Sequence, residues 1–370
     1  MLRILALEPY YGGSHKAFLD GYREHSRHSV ELLTLPPRKW KWRMRGAALT
    51  MGELIEEKRG RFDALLASDY VDLAGLVGTR PDALQGVPRV AYFHENQITY
   101  PLPAEDQRDY QFGFTNITTC LAADRVLFNS QYHLDSFLKG VDRLLGRMPD
   151  HVPEWAAQRI RQRAEVVPVG VDLAAIDANR DRAIRPDGPL TILWNHRWEY
   201  DKGAQTFFEL MMELQDEGHE FLLAVTGQEF RTVPPVFDEA RERLGARLRN
   251  FGYVESRADY CKLLLESDVI VSTAMHEFFG IAVVEAVHAG CVPLLPNGLS
   301  YPELLPVRCH DTCLYEDRDD LKGRLVRWLG RPDEARSLDF SAEVRRFGWH
   351  QVAPMLDAVM EGLCGGTGDD

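Results

Sequence analysis

The chain has 370 residues, which exceeds one ordinary domain core and favours two domains. Hydrophobic residues make up 45% and charged residues 27%, a composition that excludes a disordered or fibrous protein. The formal net charge of −13 argues against general affinity for nucleic acids. The acidity is uneven, however: residues 1–168 carry 22 Lys and Arg against 21 Asp and Glu, and residues 169–370 carry 21 against 35.

Neither a membrane segment nor a metal motif is evident in the sequence. No apolar run approaches the roughly 18–20 residues that cross a bilayer, and the N-terminus lacks the pattern of a signal peptide. We therefore expect a cytoplasmic chain with no membrane partner. The six cysteines are scattered without C-x-x-C pairs, so we expect no metal site.

The first half repeats a pattern of strand, loop and helix. The apolar run 2–7 is followed by the turn-prone Y-Y-G-G and by a helix that Ser14 can cap. Further buried strands are predicted at 64–68, 89–94 and 124–130, with enough chain between them for crossover helices. The pattern predicts an α/β domain with a parallel sheet.

A second series of the same kind begins after the polar stretch 178–189. Pro168 and Gly170 interrupt the pattern between the two series. Strands are predicted at 191–196, 220–227, 249–254, 267–273 and 291–296, with helices near 203–217, 235–246 and 279–289.

These series predict two Rossmann-like domains, residues 1–170 and residues 171–348. The remaining segment, 349–370, contains a last helix at 349–363. Ligands bind beyond the carboxyl ends of the strands in such sheets, so we expect the chemistry in a cleft where the two domains face each other.

The segment 272–290 carries two carboxylates eight residues apart, Glu277 at a strand end and Glu285 in the following helix. At 1.5 Å per residue they lie about 12 Å apart, the span of a nucleotide diphosphate-sugar. The free N–H groups of residues 278–281 form an anion site, where Gly280 allows close approach of the backbone. The segment alone is equally compatible with an ordinary N-cap acid at 277 and a solvated helix residue at 285.

Three weaker signals accompany this acidic pair. Arg197 and Lys202 lie in the loop after the first strand of the second domain, where they can neutralise a diphosphate. His94 ends a strand of the first domain, although a lone histidine is more often structural. The Gly12-Gly13 loop permits close approach of a ligand without completing a G-x-G-x-x-G fingerprint.

Together these features resemble the retaining nucleotide-sugar glycosyltransferases of the GT-B fold. The resemblance covers nearly the whole chain and includes E-F-F-G-I-A-V-V-E-A at 277–286 and P-V-G-V-D at 168–172. It implies that the second domain holds the donor and that the last helix crosses back onto the first domain. The residue after the first glutamate, usually small, is Phe278 here, which bears on the shape of the sugar pocket.

Three N-terminal segments, E-P-Y-Y-G-G-S-H-K-A-F, P-P-R-K-W-K-W-R-M-R-G and Y-F-H-E-N-Q-I-T-Y-P, resemble one branch, the tRNA-queuosine α-mannosyltransferases. The branch implies transfer of mannose from GDP-mannose to a cyclopentenediol hydroxyl of queuosine in the anticodon loop of tRNA-Asp. It implies no cofactor beyond the donor and no metal. In the implied mechanism Glu277 orients the sugar, His94 contacts sugar or acceptor, and Arg197 and Lys202 stabilise the leaving diphosphate.

The predicted donor site draws on both domains. The backbone of residues 252–254 is expected to hold the base of the nucleotide. The full set is Gly12, Gly13, Arg197, Lys202, Tyr253, Phe278, Phe279, Gly280, Ile281 and Glu285.

Positions 38–45, R-K-W-K-W-R-M-R, are a cluster of cations and aromatic residues. Cations for phosphates and aromatic faces for unstacked bases are what single-stranded RNA loops require. The same residues are compatible with a solvated loop in which Trp40 and Trp42 are buried against the domain. The predicted tRNA contacts are Arg38, Lys39, Trp40, Lys41, Trp42, Arg43, Arg45, Glu95, Asn96 and Gln97.

Two other functions stay open on the sequence alone. A GT-B glycosyltransferase with a different nucleotide-sugar and a lipid, polysaccharide or small-molecule acceptor would carry the same donor residues. A non-catalytic module that binds a nucleotide-sugar or RNA is the second. No feature of the sequence indicates an oligomeric state.

Overall fold

The computed structural model describes residues 1–57, 62–102, 108–229 and 233–365. They form two compact units, one made of Met1–Gly170 with the chain from Trp349 onward, and one of Val171–Gly348. Each unit contains a six-stranded parallel sheet, which confirms the predicted α/β class. The tail predicted after residue 365 lies outside the described residues.

The first unit has the strand order β2-β1-β3-β4-β5-β6. The sequence pattern predicted the four inner strands and missed β2 and β6. Both are edge strands: β2 buries only two of its six residues and β6 has three residues, so neither shows a long apolar run. The strands are β1 Arg3–Glu8, β2 Ser29–Thr34, β3 Ala64–Ser68, β4 Arg89–Phe93, β5 Arg125–Phe128 and β6 Ala164–Val166.

Polar side chains begin several helices of the first unit. Asp72, Asp109 and Ser130 each accept a hydrogen bond from an N–H of the following first turn, in α3, α5 and α6. The helices are α1 Gly13–His25, α2 Trp40–Glu57, α3 Leu73–Thr79, α4 Pro81–Leu84, α5 Tyr110–Ala122, α6 Gln131–Leu145, α7 Trp155–Arg163 and, at the end of the chain, α18 Trp349–Gly365.

The inner strands of the first sheet are buried on both faces. Residues 4–7 of β1 and 64–67 of β3 are almost fully shielded from solvent. Where these strands end, the buried residues become polar, with Glu8 closing β1 and Asp69 following β3. Parallel strands bring these ends to one edge of the sheet, so the fold itself gathers polar groups there.

The second unit has the strand order β12-β11-β10-β7-β8-β9. All five strands predicted for it are confirmed, and the additional β12 has two residues at the edge of the sheet. The strands are β7 Thr191–Asn195, β8 Leu222–Thr226, β9 Leu248–Phe251, β10 Val269–Val271, β11 Val292–Pro296 and β12 Leu314–Tyr315.

The helices of the second unit include α11, which the sequence analysis missed because its buried apolar residues lie only in the second half of the helix. The helices are α8 Ala174–Asp177, α9 Ala204–Asp216, α10 Val236–Leu244, α11 Arg257–Leu265, α12 Ile281–His288, α13 Tyr301–Leu304, α14 His310–Cys313, α15 Arg318–Leu329, α16 Pro332–Arg336 and α17 Ser341–Val344. Short 3-10 helices occupy Arg180–Arg182, Tyr200–Lys202, Gly245–Arg247, Val307–Cys309 and Arg345–Phe347.

The last helix, α18, packs on α1 of the first unit, as the family resemblance implied. Asp357 is buried there and accepts hydrogen bonds from Tyr22 OH at 3.0 Å, Ser26 Oγ at 2.6 Å and the N–H of Arg27 at 3.0 Å. The ring of Trp349 packs where a Cβ on Gly21 would lie 2.1 Å from it. A buried carboxylate with three donors thus fixes the position of α18.

Among the residues that the structure describes, no helix combines the length and the apolar character needed to cross a bilayer.

Replacing Asp357 with Ala should lower the free energy of unfolding by about 3 kcal/mol, because three donors in or near the core lose their acceptor. Urea-induced unfolding, followed by circular dichroism, measures this loss. Gln351→Ala on the same helix is the control: Gln351 is exposed, so its loss should change stability little. Equal effects of the two changes would contradict the assigned role of Asp357.

Candidate active site

In the second unit, main-chain contacts hold the loop after β7 against the loop after β10. The N–H of Met275 donates to Asp201 O at 2.8 Å, and Thr273 Oγ1 donates to Gly203 O at 2.9 Å. Gly203 has a φ of +66°, and a Cβ there would lie 1.9 Å from Thr273 O. Glycine is required for this approach, which sets Lys202 against the residues that follow β10.

Lys202 is a buried cation, with its side chain 7% exposed. Its Nζ donates to His276 O at 2.8 Å and lies 3.1 Å from Asp201 Oδ2 and 3.5 Å from Glu277 Oε2. A buried ammonium needs such partners, since removing an unpaired charge from water costs several kcal/mol. The structure therefore brings together Lys202 and Glu277, which the sequence analysis placed in one site.

Glu277 lies in the loop before α12. Burial opposes its charge, but Lys202 and the other groups around it hold the pKa of Glu277 below its ordinary value. Its Oε1 accepts the N–H groups of Phe278 and Phe279 at 3.2 and 3.4 Å, which corrects the expectation that all amides of this turn are free. The helix begins at Ile281, after Gly280 with a φ of +100°, and not near residue 279.

Glu285 lies in the second turn of α12 and is 8% exposed, so it is not a solvated helix residue. Its carboxylate accepts a hydrogen bond from Tyr260 OH at 2.6 Å and lies 2.8 Å from Arg257. The OH of Tyr260 accepts in turn from Asn195 Nδ2 at 2.8 Å. The sequence analysis missed these three partners because they come from β7 and α11, whose approach to α12 depends on the fold.

Two buried histidines, also missed by the sequence analysis, lie near Lys202. Burial lowers the pKa of His196 to about 4 and that of His276 to about 4, and Lys202 acts in the same direction. Both imidazoles are therefore neutral near pH 7. Each follows the end of a buried strand, which is the signal that could have identified them.

The other predicted donor residues of this unit differ in exposure. Arg197 is largely exposed and lies 3.1 Å from Glu199. Tyr253 is exposed, whereas Phe278 and Phe279 are buried. The contacts of these four residues with a donor stay predictions.

Gly12 and Gly13 belong to the first unit and form the turn between β1 and α1. A Cβ on Gly12 would lie 2.6 Å from Pro37 Cβ, and Gly13 has a φ of +53°. Both glycines are therefore required by the turn itself. Their contact with a nucleotide-sugar stays a prediction.

Buried ionisable side chains gather where β1, β3 and β4 of the first unit end. Glu8 is fully buried, and its Oε2 lies 2.8 Å from Nδ1 of His15. Burial opposes protonation of His15, but Glu8, with further acids nearby, raises the pKa of His15 to about 9. Glu8 and His15 thus form a buried ion pair. The sequence analysis quoted both residues within a family motif but assigned neither of them to a site.

His94 follows β4, and its ring centroid lies 4.2 Å from that of His15. Its N–H donates to Asp69 Oδ1 at 2.9 Å. Burial and the nearby His15 lower the pKa of His94, which is therefore neutral. The ligand atoms of Glu8, His15 and His94 lie within 4.8 Å of one another, close enough to share a metal ion, but a protonated His15 has no lone pair to offer.

Glu95, Asn96 and Gln97 follow His94 in the same loop. Glu95 Oε1 accepts hydrogen bonds from Tyr70 OH at 2.7 Å and from Gln97 Nε2 at 3.0 Å. Asn96 is fully buried, and its Oδ1 accepts the N–H groups of residues 98 and 99. Asn96 thus shapes the loop, and the predicted contacts of these three residues with an acceptor stay predictions.

The cation and aromatic cluster at 38–45 lies mostly in the first two turns of α2, not in a loop. Trp40 packs near Phe112 and Tyr70, with ring centroids 5.2 and 6.4 Å apart. Trp42, in contrast, is 64% exposed. The alternative in which both tryptophans are buried is therefore wrong.

The cations of this cluster lie at the helix end that repels them. A helix N-terminus carries partial positive charge, and the first turn of α2 contains no acidic residue. Lys39 and Lys41 are exposed, Arg43 Nε donates to a main-chain carbonyl at 3.1 Å, and Arg45 donates to Gln111. Phosphate groups would offset the repulsion by binding both the cations and the helix end.

Two family profiles together match most of the chain. The tRNA-queuosine alpha-mannosyltransferase N-terminal profile matches residues 3–171, and the glycosyl transferases group 1 profile matches residues 175–330. A tRNA-queuosine alpha-mannosyltransferase of Drosophila melanogaster is 39% identical over 313 residues, which cover 82% of this chain and 81% of the relative. The chain belongs to the tRNA-queuosine α-mannosyltransferase family. It is accordingly a hexosyltransferase.

More distant proteins are also similar to this chain, one in sequence and one in structure. A GDP-mannose:cellobiosyl-diphosphopolyprenol alpha-mannosyltransferase of Xanthomonas campestris is 24% identical over 372 residues, with 93% of this chain and 91% of the relative covered. The solved sucrose-phosphate synthase of Thermosynechococcus elongatus superposes with a TM-score of 0.74 at 15% identity, over 99% of this chain and 100% of that one. The predicted GT-B fold is confirmed.

Gly203→Ala should destabilise the second unit by at least about 3 kcal/mol, since it adds a steric clash with Thr273 O to the strain of a positive φ. The matched control is Gly218→Ala, where φ is +83° but no atom lies within 4 Å of the added Cβ. The control should cost about 1 kcal/mol. Thermal unfolding compares the two, and similar losses would show that the close approach at Gly203 is not needed.

Proposed function

We propose that the chain transfers mannose, with retention, from GDP-mannose to a cyclopentenediol hydroxyl of queuosine in the anticodon loop of tRNA-Asp. The 39% identity to the Drosophila enzyme, with the N-terminal family match, is the observation that carries this proposal. The donor is supported by the Xanthomonas relative, whose name contains GDP-mannose. The proposal gives the second unit the donor and the first unit the tRNA.

Departure of the diphosphate is the step that the second unit would assist. Negative charge develops on the leaving oxygen as the glycosidic bond breaks, and fixed positive groups stabilise that charge. Lys202 is held in place before the reaction by Asp201 and by His276 O. Lys202, the more exposed Arg197 and the first amides of α12 are the groups we assign to the diphosphate.

The two carboxylates would bind hydroxyl groups at either end of the donor. Glu277 has its Oε1 occupied by two amides of its own loop and its Oε2 near Lys202, so its orientation is fixed. We assign it to the mannose hydroxyls. Glu285, fixed by Tyr260 and Arg257, is assigned to the ribose hydroxyls of the nucleotide.

We propose that transfer needs no metal or other cofactor. A cation such as Mg²⁺ serves many phosphate-transfer enzymes by neutralising the diphosphate. Lys202 and Arg197 supply that charge here, together with the dipole of α12.

The tRNA would bind the first unit through the cluster at 38–45. Exposed Trp42 offers a face for an unstacked base, and the exposed cations of the cluster offer contacts to phosphates. The charge balance agrees, because the first half of the chain is nearly neutral and the second half strongly acidic. His94, at the end of β4, is assigned to the sugar or the acceptor hydroxyl.

A different acceptor is the second candidate function. The Xanthomonas relative is named for a diphosphopolyprenol acceptor, so a lipid-linked or polysaccharide acceptor suits the same donor unit. The N-terminal profile favours tRNA over these acceptors. A non-catalytic module is the third candidate, and it predicts no dependence of function on Lys202.

The chain should add one hexose to queuosine when incubated with GDP-mannose and queuosine-containing tRNA-Asp, as measured by mass spectrometry of the released nucleosides. Lys202→Met should lower kcat/KM by about 100-fold or more, because one fixed donor to the developing charge is lost. Lys262→Met, which removes an exposed cation of the same unit, is the control and should retain activity. EDTA should not change the rate.

Absence of product with bound GDP-mannose would move the proposal to another acceptor. Failure to bind any nucleotide-sugar would favour a non-catalytic module that binds RNA. An active Lys202→Met variant would show that the diphosphate binds elsewhere, and inhibition by EDTA would contradict a transfer without metal.

Replacing Lys39, Lys41, Arg43 and Arg45 together with Ala should weaken tRNA binding and reduce the slope of log affinity against log salt by roughly 3. Each lost phosphate contact lowers that slope, while GDP-mannose binding should be unchanged. Filter binding at several salt concentrations measures both effects. The control removes four exposed cations of the second unit, Lys262, Arg308, Arg327 and Arg331. Equal losses in the two variants would remove the assignment of the 38–45 cluster.

A further inference from the structure

The first unit contains a group of acids that the proposed transfer does not yet use. We call Glu8, His15, Asp69 and Glu95 the carboxylate cluster. Glu8, Asp69 and Glu95 all act electrostatically on His15, and Glu95 also acts on Asp69 and on Tyr70. The four side chains therefore form one electrostatic unit beyond the ends of β1, β3 and β4.

Glu95 is the member of the carboxylate cluster that a ligand can reach. It is half-buried, whereas Glu8 and Asp69 are buried. Its Oε1 is fixed by Tyr70 OH and Gln97 Nε2, and in the described part of the chain no hydrogen bond reaches its Oε2. The protein thus holds Oε1 of Glu95, and Oε2 can accept a hydrogen bond from a ligand.

A second unpaired polar atom lies in the same cluster. His15 is 6% exposed, and its Nδ1 is engaged by Glu8 at 2.8 Å. Its Nε2, however, has no hydrogen-bond partner among the described residues. The hydrogen bond of Nδ1 to Glu8 holds the ring, and Nε2 is left able to donate a hydrogen bond to a ligand.

Aromatic rings line this cluster. The ring centroids of Tyr10 and Tyr70 lie 5.4 Å apart, and those of His15 and Tyr70 lie 5.1 Å apart. Tyrosine faces attract cations and stack on flat heterocycles. The site therefore combines acids, a hydrogen-bond donor and ring faces.

The charges of the cluster favour a cation. Glu8 pairs with His15 and raises the pKa of that imidazole, and burial, with the neighbouring acids Glu95 and Glu8, raises the pKa of Asp69. Glu95 interacts with His15 only at longer range, and it forms no ion pair within 4.0 Å in the part of the chain that the structure describes. A ligand with one positive charge would complete the balance.

An organic cation fits better than a metal ion. The atoms that approach a metal geometry are those of Glu8, His15 and His94, and the first two are already bonded to each other. Glu95 is not a member of that trio. Tyrosine rings are poor surroundings for a hydrated metal ion but suit an alkylammonium.

We propose that Glu95 binds the protonated secondary amine through which the cyclopentenediol of queuosine is joined to its 7-deazaguanine ring, and that His15 Nε2 donates a hydrogen bond to a hydroxyl of that diol. This inference rests on the proposed function and names how its acceptor is recognised. Guanosine carries neither the amine nor the diol. The carboxylate cluster would therefore distinguish modified tRNA from unmodified tRNA, which phosphate contacts do not.

The test isolates the charge of the amine. The wild-type chain is mixed with otherwise identical tRNA-Asp that carries, at the queuosine position, 7-aminomethyl-7-deazaguanine, 7-cyano-7-deazaguanine, guanine or queuosine itself. The first two bases differ chiefly in the positive charge. We expect about tenfold tighter binding of the aminomethyl tRNA than of the cyano tRNA, since a charge-assisted hydrogen bond is typically worth about that factor.

Glu95→Gln should abolish the preference for the aminomethyl base while leaving the affinity for guanine-containing tRNA and for GDP-mannose unchanged. These unchanged affinities also show that the variant is folded. Glu165→Gln, an exposed acid of the same unit, is the control and should keep the wild-type preference.

Three outcomes would overturn the inference. In the first, wild type binds the aminomethyl and cyano tRNAs equally while still preferring queuosine, which would mean that the diol alone is recognised. In the second, Glu95→Gln keeps the preference. In the third, wild type neither prefers queuosine nor adds a hexose to it, which would remove the proposed function as well and is thereby distinguished from the other two.

Discussion

The second unit depends on two places where the main chain of one loop lies directly against the main chain of another. Each of these contacts is made at a glycine. A Cβ at Gly203 would lie 1.9 Å from Thr273 O, and a Cβ at Gly227 would lie 1.7 Å from His196 O. These contacts draw together the loops after β7, β8 and β10. The contact at Gly203 places Glu277 and the carbonyl of His276 beside Lys202 Nζ, where they stabilise its buried charge together with the neighbouring Asp201. Because glycine has no Cβ at these two positions, the loops can lie close enough together to bury the charge of Lys202 beyond the strand ends.

The parallel strands of the first unit also end at one edge of their sheet, and the residues gathered there are mainly acids. Among them are Glu8, Asp69 and the segment that contains Glu95. Lys202 in the second unit is a cation held by acids, whereas these acids of the first unit surround the imidazole of His15 and raise its pKa. The ligands proposed for these two edges are accordingly different, an anionic diphosphate for the second unit and a cationic amine for the first. The two sheets share an architecture and differ in the charged side chains that follow their strands.

The sequence predicts much of this fold because central parallel strands are continuous apolar runs, as at 64–68 and 267–273. Short edge strands and α11 escaped because their burial is partial. Lys202 and Glu277 were predicted from motif and charge, and the structure places them 3.5 Å apart. Partners such as Tyr260 escaped, since a hydrogen bond between residues far apart in sequence leaves no periodic signal. His15 escaped for a related reason: its charge depends on Glu8, which approaches it through the turn between β1 and α1.

The cations of α2 and the carboxylate of Glu95 would contribute differently to the recognition of tRNA. Contacts to phosphates raise affinity for any tRNA and weaken as salt increases. In the proposed complex the cations of α2 would therefore contribute to total affinity more than to the choice between tRNAs. A single carboxylate that meets a single ammonium contributes little to total affinity but much to the choice between bases, because guanosine leaves Glu95 unpaired. Such a contact within a partly buried site is also less screened by salt than a contact on an exposed helix. Discrimination between modified and unmodified tRNA should therefore persist at salt concentrations at which total affinity has fallen, which separates the roles of α2 and Glu95 in one titration.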